Sequence, residues 1–196
     1  IVEAEDGDFE WVKVDENSAC GLCYTSGTTG NPKGVLYSHR SNVLHSMAAN
    51  MGDALGMKAS DVILPVVPMF HANAWGIAFA APAVGAKIVM PGANMDGASI
   101  YELLDTEGVT CTAAVPTVWL MLLQYLEKTG VMLPLLDRVV IGGSAAPRSM
   151  IEVFEEKYDV KVFHAWGMTE MSPMGTLGAL KAGMEKLPLS KQIDVK

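Results

Sequence analysis

The densest chemistry in this sequence lies in the stretch YTSGTTGNPKG, Tyr24 to Gly34. Gly27, Gly30 and Gly34 let the backbone approach an anion closely and adopt positive φ. Consecutive amide N–H groups in such a stretch can close into a concave anion nest. Thr25, Ser26, Thr28 and Thr29 add hydroxyl donors, and Lys33 adds a full positive charge. The combination predicts a phosphate cradle, where a plain surface turn is the other reading. A P-loop needs Gly, four residues, then Gly-Lys-Ser/Thr. Counted from Gly27, Lys33 is in register, but Pro32 precedes it and Gly34 follows it. Pro32 removes an N–H that a P-loop would use, and Gly34 removes the hydroxyl that would hold Mg²⁺.

Three other stretches carry candidate chemistry. GGSAAP, Gly142 to Pro147, reads as a strand-to-helix turn with Pro147 opening the helix. Alone it is weak evidence for a site. AWGMTE, Ala165 to Glu170, sets an aromatic, a glycine, a hydroxyl and a carboxylate in series. Trp166 can stack on a purine, and Thr169 can donate to a phosphate oxygen. Glu170 can hold Mg²⁺, which takes one or two carboxylates plus phosphate oxygens. A capped turn with a solvated Glu is the plainer alternative. PMFHANAWG contains His71, which alone reads as a hydrogen-bonded residue near a core. His39, His45 and His164 show no ligand spacing and are assigned no role. Cys20 and Cys23 form a lone CxxC inside an apparent strand, where residues three apart face opposite ways. They read as core thiols rather than a metal or redox pair, as does Cys111.

The elements that must position these groups alternate along the chain. ACGLCYT reads as a strand leading into the first loop, and SNVLHSMAANMGDAL as a helix on Val43, Leu44, Met47, Ala48 and Met51, capped by Ser41. DVILPVVPMF is a short buried run, NAWGIAFAAPAVG a helix, AKIVMP a strand, ASIYELLDTEG a helix and VTCTAAV a strand. PTVWLMLLQYLEKTG is a helix between Pro116 and Gly130. LDRVVIGG, PRSMIEVFEEKY and DVKVFHAWG continue as strand, helix and strand. Strands separated by helices predict an α/β fold with a mainly parallel, doubly wound sheet flanked by helices. Ligands of such sheets bind beyond the carboxyl ends of the strands. If the strands before residues 24–34, 142–147 and 166–170 are all parallel, the three loops share one edge.

The bulk composition is consistent with this. Half of the 196 residues are hydrophobic and 18% are charged, enough for a real core in one domain or a large piece of one. The net charge of −8 and the lack of a basic stripe argue against nucleic acid as a partner. The acidic start is no signal peptide, and the apolar run from Ile77 to Val84 is too short for a transmembrane segment. The expectation is a soluble, cytoplasmic protein.

The wording of the first loop, YTSGTTGNPKGVLYSHRSN, closely resembles the signature of the adenylate-forming superfamily, which includes acyl-CoA synthetases, firefly luciferase and the adenylation domains of peptide synthetases. GGSAAP is similar to that family's adenine-binding turn, and AWGMTE to its Tyr-Gly-x-Thr-Glu motif, with Trp166 in place of the tyrosine. PMFHANAWG is similar to its Pro-x-Phe-His segment. The four segments occur in the family's order, and the resemblance runs from about Ala19 to about Thr176. It implies ATP and coenzyme A as co-substrates and Mg²⁺ held by Glu170. Phosphate contacts would come from Thr25, Ser26, Gly27, Thr28, Thr29, Gly30 and Lys33. Adenine and α-phosphate contacts would come from Gly143, Ser144, Ala145, Ala146, Trp166, Gly167, Met168 and Thr169. Lys33, Thr169, Glu170 and His71 would be catalytic, and His71, Ala72, Asn73 and Trp75 would lie by the acid. HANAWG with GMTEMSP looks like a fatty-acid or medium-chain acyl-CoA ligase, the small Ala72, Ala74 and Gly76 leaving room for a chain.

The resemblance implies a two-step reaction, acyl-adenylate formation and then transfer to the thiol of coenzyme A. It also implies elements not found here: a ribose-binding Asp, a hinge, a C-terminal domain with its catalytic lysine, and the front of the N-terminal domain. The expected layout is a lead-in at 1–18, an ATP/AMP-binding α/β subdomain at 19–176 and a loosely ordered tail at 177–196. The chain alone is expected to be inactive as a ligase. A non-catalytic nucleotide-binding module derived from such a ligase, and a peptide-synthetase type of adenylating enzyme, remain alternatives.

Overall fold

In the central strands, successive residues are buried on opposite faces, and the two sets pack into two separate cores. Leu64, Ala114, Val139, Ile141 and Val162 point one way. Ile63, Cys111, Ala113 and Val140 point the other. Strands buried on both faces cannot show a clean apolar–polar alternation, so they read as short apolar runs. The computed structural model describes residue 4, residues 6–25 and residues 30–196.

Among the described residues, eight strands and seven α-helices are formed. β1 (Ala19–Thr25) and β2 (Lys33–Ser38) precede α1 (His39–Ala49), β3 (Val62–Pro65), a single turn α2 (Ala72–Trp75), α3 (Ile77–Ala83) and β4 (Lys87–Ile88). α4 (Gly97–Thr106), β5 (Cys111–Ala114), α5 (Pro116–Thr129), β6 (Arg138–Ile141), α6 (Arg148–Glu152), β7 (Lys161–Gly167), β8 (Met174–Leu177) and α7 (Leu189–Ile193) follow. The six-stranded sheet has the order β4-β3-β5-β6-β7-β8. All its pairings are parallel except β7 with β8. α4, α5 and α6 cover one face, with Trp119 and Phe154 at the centre in an edge-to-face pair. α1 and α3 supply Ala49, Ile77, Ala80 and Ala81 to the other. This is the expected doubly wound architecture.

Local chemistry explains several boundaries. Asp96 caps α4 through the N–H groups of Ala98 and Ser99, an interaction worth about 1 kcal/mol. Pro116 opens α5 and Gly130, at φ +73°, closes it. At the carboxyl-distal end of the sheet, buried Arg138 reaches Asp61 at 2.7 Å and the Leu55 carbonyl at 3.1 Å. Burial alone would raise the Asp61 pKa, but hydrogen bonds from Arg138, Thr110 and the Lys58 N–H outweigh it and hold the carboxyl below its usual range.

Five expectations need correction. Among the described residues β1 does not join the central parallel sheet: it pairs antiparallel with β2, a strand that the sequence reading did not assign. α1 is capped by Ser38, and Ser41 is the third helical residue of a reciprocal capping box. Its expected core positions Val43, Leu44, Met47 and Met51 are exposed, while His45, Ser46 and Ala49 are buried. Cys20 is exposed and only Cys23 and Cys111 are core thiols. The segment 177–196, expected to be loosely ordered, folds back on the main core: Ile193 is buried there, Lys196 pairs with Glu155, and Arg148 pairs with Asp194. Among the described residues, no helix is long and apolar enough to cross a membrane.

Candidate functional site

A cleft of about 800 Å³ opens beyond the carboxyl ends of β3, β6 and β7, where parallel sheets bind ligands. Its lining falls into a polar set and an apolar set of residues, its two arms. The polar arm is lined by Thr25, Lys33, Gly143, Thr169 and Glu170. The apolar arm runs between the sheet and α1, past Ala49, Leu55, Ile77, Val140 and Leu177. Small residues on this face of the sheet leave the space for it.

Thr25 and Lys33 face each other as the last pair of the β1–β2 hairpin, so the hairpin carries its lysine into the polar arm. Ser26, Gly27, Thr28 and Thr29, the expected phosphate grip, lie outside the described residues. Gly30 follows at φ +117°, a conformation suited to glycine. Two bonds tie the hairpin to the rest of the site. The Tyr37 hydroxyl donates to the Thr169 carbonyl at 2.6 Å, and the Cys23 thiol lies 3.7 Å from Asn73 Oδ1. Burial, then the neighbouring Cys23 and Glu170, push the Tyr37 pKa up to about 12, so the phenol stays a donor at neutral pH.

The turn after β6 brings Gly142 and Gly143 to the cleft. A Cβ at Gly142 would come within 3.1 Å of the Trp75 ring and 3.2 Å of the Ala165 carbonyl, which explains the glycine. Ser144, Ala145 and Ala146 do not line the cleft. The chain turns away after Gly143, and the Ala146 N–H donates to His164 Nε2 at 3.3 Å. The strand β7 delivers Ala165, Trp166, Gly167, Met168, Thr169 and Glu170 to the cleft wall. The half-exposed Trp166 ring lies over Gly175 of β8, where a Cβ would approach it to 2.6 Å. Gly167 is equally constrained, by the Pro173 carbonyl 2.0 Å from a Cβ position.

The segment after β3 holds the least expected geometry. Ala72, Asn73, Ala74 and Trp75 all have φ between +47° and +55°, so α2 is a left-handed turn, continued by Gly76 at +75°. For L-residues this costs roughly 1–2 kcal/mol each, and such strain concentrates at functional sites. His71, Ala72 and Trp75 line the cleft. Asn73, expected beside the acid, instead points at the hairpin, where it meets Cys23 and lies over Gly21. The left-handed turn rotates it away from its neighbours. His45, Phe70, Gly142, Met174 and Leu177 also line the cleft, although sequence reasoning assigned them no part. The available signals were Gly142, in the same motif as Gly143, and Phe70, in the same motif as His71.

No group of three or more His, Cys, Asp or Glu side chains is placed to hold a metal by itself among the described residues. Glu170 is exposed in the polar arm. One open carboxylate fits a magnesium ion whose other ligands come from phosphates and water.

A family model described as "AMP-binding enzyme" matches residues 2–192. The chain is 54% identical over 192 residues to a 3-methylmercaptopropionyl-CoA ligase of Ruegeria lacuscaerulensis, covering 98% of this chain and 36% of that protein. It is also 54% identical to a medium-chain-fatty-acid–CoA ligase of Ectopseudomonas oleovorans, covering 100% and 34%, and to a long-chain-fatty-acid–CoA ligase of Thermus thermophilus, covering 94% and 34%. The chain therefore spans about a third of the length of these curated relatives. A solved long-chain-fatty-acid–CoA ligase from Archaeoglobus fulgidus superposes with a TM-score of 0.77 at 28% identity, covering 90% of this chain and 37% of that one. An o-succinylbenzoate coenzyme A synthetase of Bacillus subtilis in complex with AMP superposes at 0.74 and 26% identity, covering 88% and 34%.

Proposed function

This chain belongs to the AMP-binding enzyme family, and from that premise we propose that it forms the nucleotide- and acid-binding part of an ATP-dependent acyl-CoA ligase acting on an aliphatic carboxylic acid. Residues 19–176 are the nucleotide-binding unit and residues 1–18 its lead-in. The observation that carries the reading is the two-armed cleft. A polar arm with a lysine and a carboxylate suits MgATP, and an apolar arm that joins it suits an alkyl chain. The ligase names of the three relatives support the reaction class.

In the first step a carboxylate oxygen attacks the α-phosphorus of ATP. The new O–P bond forms as the bond to the β-phosphate oxygen breaks, giving acyl-AMP and pyrophosphate. In the second, the thiolate of coenzyme A attacks the acyl carbon and AMP leaves. Such chemistry relies on positioning and charge stabilisation. Lys33 stabilises the charge that develops on pyrophosphate. Thr169 holds the α-phosphate, and Trp166 with Gly143 flanks the adenine. Glu170 would hold Mg²⁺, which when bound neutralises phosphate charge. His71, Ala72 and Trp75 border the acid where the two arms meet, and His71 stands on the approach for the thiol.

Pyrophosphate release by the full-length protein, measured against a panel of straight-chain, branched and aromatic acids, tests the reading. Turnover confined to aliphatic acids and dependent on ATP and coenzyme A is expected. ATP binding with no acid-dependent pyrophosphate release would favour a nucleotide-binding module without ligase activity.

A further inference from the structure

His45 is a buried imidazole on the packed side of α1, beside Ser46 and Ala49. It lies on α1 at 8% exposure, one turn before Ala49, and lines the apolar arm. Its Nε2 is 3.1 Å from the Trp75 carbonyl oxygen. That oxygen only accepts, so Nε2 carries the proton. The same ring atom occupies the space beside Gly76: a Cβ there would lie 2.0 Å from Nε2. The imidazole thus contacts the end of a five-residue left-handed stretch, Ala72 to Gly76, from both the carbonyl side and the Cα side. Asn50, at the end of the same helix, donates to the Ala80 carbonyl of α3 at 2.9 Å and so ties α1 to the helix that follows the turn. The stretch held in this way carries the Trp75 indole, whose edge rests on Gly142 where the two arms of the cleft meet.

We propose that His45 is a positioning residue that holds the left-handed turn Ala72–Gly76 and thereby fixes the Trp75 indole as the wall between the acid arm and the nucleotide turn. A strained turn of non-glycine residues needs an external partner to persist, and His45 makes both contacts that such a partner requires. His45 touches no reacting atom in this arrangement. Its effect passes through the backbone of residues 75 and 76. The geometry is independent of the ligase reading, and only the choice of acid as the affected substrate rests on it.

Two measurements test this. In the 196-residue chain with Trp11→Phe and Trp166→Phe, the remaining indoles are Trp75 and the fully buried Trp119. Acrylamide quenching then reports Trp75. His45→Ala is expected to raise the quenching of Trp75, and His45→Gln, which can return an N–H to the same carbonyl, is expected to restore it. In the full-length protein, His45→Ala is expected to raise KM for the acid about tenfold, the loss of one buried hydrogen bond, with KM for ATP little changed and His45→Gln close to wild type. Unchanged quenching in a folded His45→Ala chain overturns the proposal. So does an equal rise in both KM values, or a loss of thermal stability with neither KM altered. If the full-length protein activates no acid, the ligase reading fails, while the quenching comparison still decides the role of His45.

Discussion

The Tyr37 hydroxyl and the Thr169 carbonyl, 132 positions apart in sequence, are joined by a 2.6 Å hydrogen bond. Tyr37 belongs to the β1–β2 hairpin, which shares no strand pairing with the central sheet. Thr169 belongs to the loop after β7, which carries Glu170. The bond therefore fixes the distance between the element that carries Lys33 and the element that carries the carboxylate. Tyr37→Phe should cost about 0.5–1.5 kcal/mol of stability, the usual net worth of one such bond. It should also weaken ATP binding to the polar arm beyond that stability loss. Urea unfolding and a nucleotide titration on the same variant separate the two effects.

The same residue gives an alkaline signature. Its pKa is raised to about 12 from the ordinary 10.0, with burial the largest cause. A group whose folded pKa is raised contributes stability that is complete below the unfolded value and declines as pH rises through the folded one. Stability should fall between pH 10 and 12 in the wild-type chain, and this part of the fall should be absent in Tyr37→Phe. Denaturant midpoints across that range provide the check.

Lys33 and Glu170 both line the polar arm, and the proposed reaction gives them different parts. Removing a charge that acts on the transition state typically costs on the order of 10²–10³ in rate. Lys33→Ala should lower the pyrophosphate-release rate of the full-length protein by about that factor. Glu170→Gln should instead raise the magnesium concentration needed for half-maximal rate. Rate against magnesium for both variants distinguishes them.

The ion pair of Asp61 and Arg138 sits at the opposite end of the strands from the cleft. Arg138→Met leaves a buried carboxylate without its cation and should cost about 3–5 kcal/mol. The double variant with Asp61→Leu should recover much of that, because the desolvated charge is then gone as well. Urea unfolding of the single and double variants measures the coupling.

The central sheet was legible in the sequence because β3, β5 and β6 are apolar on both faces and are flanked by prolines, glycines and capped helices. The loops stood out as motifs, and Lys33, Gly143, Trp166, Thr169 and Glu170 do line one cleft. The hairpin was not: KGVLYS follows directly on the loop, and Tyr37 turns inward only because β1 pairs beside it. α1 was read inside out. Its large residues Val43, Leu44 and Met47 promise a core face, but the helix packs through Ser46 and Ala49 because Ala80 and Ala81 on α3 allow a close approach. Beyond Gly76 the left-handed turn left one faint trace, Asn73, a residue type that visits that conformation more readily than most; Ala and Trp do not, and tertiary contacts impose it on them.

An acid titration should resolve two buried groups by sign and by range. Burial lowers the pKa of His45 from its ordinary 6.5, and the bond to the Trp75 carbonyl only partly opposes this. The unfolded chain then binds the proton more readily than the folded one, so stability falls as pH drops below 6.5 toward the lower folded value. Asp61, held below its ordinary 3.8, contributes stability that is present above that value and is lost only as pH falls through its lower folded one. The two windows do not coincide. Between pH 7.5 and 5, wild type should lose stability while His45→Gln, which has no proton to gain, shows a shallower slope. Below pH 4 both should lose it together through Asp61. Urea midpoints at half-unit intervals from pH 7.5 to 3 make the comparison, and identical slopes in the upper range would show that the His45 ring accepts a proton in the folded state as readily as in the unfolded one.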